Sequence, residues 1–170
     1  MKKRVWKFFF VWQDESEEAW LSQMAEQGWI FKHYRLFYYV FEKQYPNQLL
    51  YKLDYQVNIK DFPGYVNLYK DAGWEYVTSY LGWHYFKGHK DGVYTEELYS
   101  DQNSYIQKYR RIIQTLFLAL WVVVILNLPT IIHPPLEMKW ILFIPAFSVI
   151  LLVVAIIFVR RKIMNLTRAL

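Results

Sequence analysis

The chain has 170 residues, is 21% aromatic, contains no cysteine and carries a formal net charge of +5. That length accommodates one ordinary domain with an appendage and leaves little room for two. Without cysteine, disulfides, thiolate nucleophiles and cysteine zinc sites are excluded, and basic residues gathered toward the C-terminal third favour a membrane surface over nucleic acid.

In chain order, the first predicted element is a strand in "RVWKFFFVW", residues 4–12, where alternation puts Trp6, Phe8, Phe10 and Trp12 on one face. A helix follows in "DESEEAWLSQMAEQG", with Asp14 or Ser16 as N-cap, acid in its first turn and Trp20, Leu21 and Met24 along one stripe. Gly28 stands where a helix end favours the left-handed conformation, and Trp29 opens the next strand. "WIFKHY" and "LFYYVFEK" then read as a hairpin. A strand in "LLYKLDYQV", a helix in "DFPGYVNLYKDAG" and strands in "WEYVTSY" and "GWHYFKG" repeat the order.

The two halves align at a constant offset of 45 residues. Gly28 and Trp29 match Gly73 and Trp74, Trp20 matches Tyr65, Met24 matches Tyr69, and Phe41 matches Phe86. This predicts a duplicated β-α-β-β unit, repeats at about 4–45 and 49–90, within a cytosolic domain at 1–100. The two Gly-Trp pairs are then structural joints between helix and strand. The fold class expected is α+β, an antiparallel sheet with two helices on one face.

Beyond a basic linker at 101–111 come two uncharged stretches, 112–132 and 140–159, each about the length a helix needs to cross a bilayer. They are read as transmembrane helices joined by a tight extracytoplasmic turn, "HPPLEMK" at 133–139, with a basic cytoplasmic tail at 160–170. Lys108, Arg110 and Arg111 before the first span, and Arg160, Arg161 and Lys162 after the second, outweigh Lys139 between them. The positive-inside rule therefore puts both ends in the cytoplasm, at the cytoplasmic membrane. "FFFVW" is too short for a signal sequence, and neither span holds the ionisable residues of an ion pathway.

Six strands and two helices in this order resemble the effector-binding domains of multidrug-responsive transcription regulators, with a ferredoxin-like pair as the alternative. More specifically, "EAWLSQMAEQGW", "YVFEK", "YKLDY", "YVNLYKDAGWEYV" and "GWHYFK", over roughly residues 8–90, resemble the bacterial membrane family known as domain of unknown function 2812. The resemblance implies membrane spans after the domain, functional association with a PadR-type regulator, and a role in a regulated envelope or stress response. It implies no catalytic residues.

For ligand binding the sequence offers Asp54, with Tyr55 and Trp83 as aromatic neighbours and Glu42 and Glu75 as further acids. A carboxylate among aromatic rings can hold an amphipathic cation, although Asp54 paired across strands with Lys7 would be an ordinary surface acid. His84, His89 and Asp91 lack the converging geometry of a metal site, since strand residues five apart face opposite ways. No nucleophile elbow, phosphate loop or carboxylate pair is present, so neither an enzyme nor a cofactor is expected. The expected function is a membrane-anchored cytosolic binding or sensory module for a small amphipathic molecule or a partner protein, with homo-oligomers allowed and nucleic acid not expected. The alternative is a structural accessory subunit of a larger membrane complex.

Overall fold

The computed structural model describes residues 1–90, 102–132 and 143–168. They fall into two compact units, Met1–Lys108 and Tyr109–Leu170. The N-terminal unit is α+β and runs β1 (Lys2–Trp6), α1 (Asp14–Glu26), β2 (Trp29–Arg35), β3 (Tyr38–Lys43), β4 (Leu49–Tyr55), α2 (Phe62–Asp71), β5 (Glu75–Tyr80), β6 (Trp83–His89) and the first turns of α3 (Gln102–Ile132). The second unit holds the rest of α3 and α4 (Phe143–Arg168).

The strands form two antiparallel sheets of three, β1-β3-β2 and β4-β6-β5, where the sequence led us to expect one. Between them β2 and β5 meet through side chains, as in the Tyr34–Tyr80 ring contact at 4.9 Å, and not through a ladder. Several backbone features recur at the 45-residue offset. Gly28 and Gly73 end their helices at φ 80° and 90°, the left-handed region that glycine enters without a Cβ penalty. β2 and β5 carry register irregularities at Phe31/His33 and Tyr76/Thr78. The hairpin turns lie at Leu36–Phe37 and Leu81–Gly82, all at positive φ.

The main core joins α1 to both sheets: Leu21, Met24 and Ala25 pack with Phe31, Tyr39, Phe41, Tyr51, Leu53 and Tyr85. Burying a side chain such as Phe41 contributes roughly 2–3 kcal/mol. Strand alternation then turns Phe86, next to Tyr85, to the opposite face, where it stacks on Tyr69 of α2 at 3.9 Å. The two helices accordingly do not share one face, because β4 and β6 carry buried side chains on both sides. β1 departs from expectation too. It ends at Trp6, and Trp6, Phe8 and Phe10 share the exposed side while Val5 and Phe9 pack on the core.

α1 also closes the free edge of β4. Leu53 N–H donates to Glu18 Oε1 at 2.7 Å and Tyr51 N–H to Ser22 Oγ at 3.3 Å, so an edge that would invite another strand is satisfied by side chains. Neither Asp14 nor Ser16 is the cap residue; Gln13 occupies that position and makes no side-chain cap bond. α2 does have a side-chain cap, Asp61 Oδ1 accepting from Gly64 N–H at 2.9 Å.

Tyr105–Thr130 and Phe143–Arg168 are long and apolar enough to cross a membrane. Their large apolar side chains, among them Leu118, Trp121, Leu126, Phe147 and Ile150, are exposed, whereas a water-soluble helix would bury its apolar stripe. α3 begins at Gln102, inside the stretch read as a linker, and α4 continues through Arg160, Arg161 and Lys162. The expected turn at 133–139, with Lys139, and the start of the second span at Trp140 lie outside the described residues.

Candidate functional site

The Gly-Trp joints border a cleft. After α1 ends, Gly28 accepts from Gln44 N–H at 2.9 Å, and Ala25 O accepts from Asn47 N–H at 3.1 Å, which draws the loop after β3 back against the helix end. Across from that loop, Gly73 leads into Glu75 on β5, and β6 brings Lys87, Gly88 and His89 alongside. Between them lies a cleft of about 340 Å³, lined by Ile30, Gln44, Asn47, Leu49, Gly73, Glu75 and Lys87 to His89. Both sheets contribute to its walls. Lys87 Nζ and Glu75 Oε1 form an ion pair at 3.1 Å in its lining, flanked by two amide side chains and two aliphatic ones. Such a lining offers charge of both signs beside apolar surface, within the size range of small-molecule pockets. A shallower apolar trough of about 410 Å³ adjoins it, sharing Gly73 and Glu75 and adding Val66, Trp74 and Tyr76.

Of the five residues offered for ligand binding, Asp54, Tyr55, Trp83 and Glu42 do not line the cleft and do not gather into one site. Asp54 is buried and accepts from Tyr65 Oη at 2.9 Å; its carboxylate faces α2, not Lys7, whose Nζ lies 4.5 Å from the Trp20 ring. Across the ladder from Asp54 is His84, ringed by Phe62, Tyr65 and Tyr76 at 6.1, 5.2 and 6.3 Å. His84 Nε2 is 3.0 Å from Gln56 O, and its buried Nδ1 has no hydrogen-bond partner among the described residues. Tyr55 and Trp83 pair edge to face at 5.2 Å on the side of β4 away from Asp54. Glu42 is half-buried and pairs with Lys32 at 3.0 Å, a bond that holds its carboxyl below the usual range. Glu75 alone of the candidate acids reaches the cleft.

His84 and His89 point to opposite faces, Asp91 lies outside the described residues, and among the described residues no three His, Asp or Glu side chains gather as metal ligands do. Of the basic residues flanking the apolar helices, Arg110, Arg160 and Arg161 are exposed and Arg111 and Lys162 half-buried. Lys108 is different, being almost wholly buried and bonded to Asp14 Oδ2 at 2.7 Å.

That pair belongs to a buried polar cluster with no sequence signal of its own. Lys108 also donates to Leu53 O at 3.3 Å, and Lys52 Nζ donates to Tyr105 Oη. On the other side of Asp14, Glu17 accepts from Tyr39 Oη at 2.8 Å and Tyr85 Oη at 2.9 Å. Burial pushes the Glu17 carboxyl up to about 7 against these two hydroxyls, and burial raises Glu18 as well. In the sequence these residues read as an N-cap and an acidic first turn, and the lysine that meets Asp14 is 94 residues away.

No curated protein and no solved structure matches the chain. The family model described as "Protein of unknown function (DUF2812)" matches residues 13–122, which take in α1, both sheets from β2 onward, the cleft and the buried cluster, and the chain belongs to that family.

Proposed function

We propose that the protein is a membrane-anchored binding module whose cleft at Gly73–Glu75 and Lys87–His89 takes a small amphipathic molecule. The observation that carries this reading is the cleft itself, an aliphatic floor beside a paired cation and anion. In this reading the N-terminal unit is a duplicated β-α-β-β fold, supported by the joints, irregularities and turns that recur 45 residues apart. The cleft then lies at the seam of the duplication. The apolar parts of α3 and α4 form a hairpin across the cytoplasmic membrane with both ends inside, supported by the basic residues that flank them.

The test uses full-length protein in nanodiscs and the amphipathic anion 8-anilinonaphthalene-1-sulfonate, with empty nanodiscs subtracted. Saturable binding to the wild type should weaken about tenfold in Lys87→Gln, which removes a charge-assisted hydrogen bond, and vanish in Asn47→Trp, which fills the cleft. Equal binding in all three would refute the cleft as a site and leave the accessory-subunit reading.

A further inference from the structure

Beyond the cleft, and independent of it, one end of the β1-β3-β2 sheet carries an unusual surface. Trp6 at the end of β1 is 71% exposed, and Leu36 and Phe37 at the β2–β3 turn are 66% and 56% exposed. Trp6 pairs with Tyr38 across the ladder and packs on its ring at 5.3 Å, which brings the end of β1 against the turn. Two cations share this surface. Arg4 lies over the Tyr38 ring at 5.6 Å, and Arg35, just before the turn, pairs with Tyr38 across the ladder from β2. Both are exposed, and neither forms an ion pair with a carboxylate among the described residues. Residues 1–12 and 32–38 contain no acidic residue at all.

The turn is also strained in a telling way. Leu36 and Phe37 sit at φ 30° and 75°, where Asn-Gly is the preferred pair, while the corresponding turn of the second half has glycine at its second position, Gly82, φ 85°. A large apolar side chain is thus kept in the one conformation that glycine would adopt freely, and is held out in water. An outlier of this kind points to a use for the side chain.

We propose that this surface, built from Trp6, Leu36 and Phe37 beside Arg4 and Arg35, docks on an anionic lipid headgroup layer. The apolar tips enter the headgroup region, where Trp and other amphipathic rings are favoured, and the cations meet lipid phosphates. Two other occupants fit less well. A second copy adding a strand at β1 would meet an edge bearing Lys2, Lys3 and Arg4, a composition that opposes strand pairing. Nucleic-acid binding draws its affinity from several phosphate contacts, and two cations supply few of them.

The chain has no cysteine, so single cysteines can report the contact in the full-length protein. Bimane is placed at Phe37→Cys, at Phe8→Cys (which leaves the tip intact), and at Tyr45→Cys, past the opposite end of β3 and 93% exposed. Each is measured in nanodiscs of phosphatidylcholine alone and with about 30% phosphatidylglycerol, using a nitroxide lipid quencher. The expected result is quenching at residues 8 and 37 at least roughly twofold above residue 45 in anionic discs, lost in neutral discs, in high salt, and on adding Arg4→Gln and Arg35→Gln together. Labels at 8 and 37 as water-exposed as that at 45 in both lipids would overturn the proposal. So would a shift produced by oligothymidylate and not by anionic lipid, or bismaleimide cross-links between copies at residue 37 in both lipids.

Discussion

Removing the Lys108 ammonium, as in Lys108→Met, leaves the Asp14 carboxylate at 2% exposure and deprives Leu53 O of a donor. Breaking a buried pair from one side costs about 3–5 kcal/mol. A second route sets a ceiling, since the carboxylate can take up a proton. At pH 7 that costs about 4 kcal/mol from an ordinary aspartate value near 3.9, and at pH 5 about 1.5 kcal/mol. The expected loss is therefore about 3–4 kcal/mol at pH 7, shrinking to about 1–2 kcal/mol at pH 5. Asp14→Leu with Lys108→Met removes both charges and should recover most of it, because the pair's own desolvation cost disappears with them. Urea unfolding of the full-length protein in dodecylmaltoside, followed by tryptophan fluorescence at pH 7 and pH 5, measures all four corners of the cycle. A loss below about 1 kcal/mol for Lys108→Met, unchanged between the two pH values and additive with Asp14→Leu, would refute a buried ion pair at this position.

Three further outcomes are expected. Glu17 faces Asp14 and Glu18 on its own helix, Tyr39 from β3 and Tyr85 from β6, and burial lifts its carboxyl to about 7 from an ordinary 4.5. The folded state then holds a proton that the unfolded chain releases, so stability falls as pH rises through this window, by up to about 3 kcal/mol. Glu17→Gln, whose amide oxygen still accepts from both tyrosines, should flatten that slope in urea unfolding at pH 5 and 7.5; an unchanged slope would assign it elsewhere. A Cβ on Gly28 would stand 2.6 Å from Gln44 O at φ +80°, so Gly28→Ala should cost about 1–3 kcal/mol and loosen the loop that lines the cleft, seen as faster amide exchange at Gln44 and Asn47. Reporter fusions after residues 136 and 170 should read outside and inside respectively, and the opposite pair would invert the proposed topology.

Local elements were readable because their signals are local. The Gly-Trp pairs announced the helix ends, and both glycines take the left-handed conformation. The apolar runs announced α3 and α4 in the same way, by length and composition alone. The candidate site was far less legible. Strand alternation alone puts Asp54 on the face opposite Tyr51 and Leu53, yet what covers that face, Tyr65 and the ring of aromatics around His84, depends on where α2 packs. Trp6, Phe8 and Phe10 matched Tyr51, Leu53 and Tyr55 in register and hydrophobicity, but the first set is exposed and the second buried. The pattern fixes which side chains share a face, and only packing decides whether that face is covered.

By itself, then, the sequence determined the order of elements, the 45-residue correspondence of their joints and turns, and two helices apolar enough for a bilayer. Those follow from backbone conformational preference and from the periodicity of apolar side chains, which act over a few residues. Tertiary structure decided the rest. It split the strands into two sheets, opened a cleft beside both glycine joints, and brought Lys108 to Asp14 across 94 residues. An acid in the first turn of a helix looks the same whether water or a distant lysine will meet it, because burial and charge pairing are properties of the assembled fold.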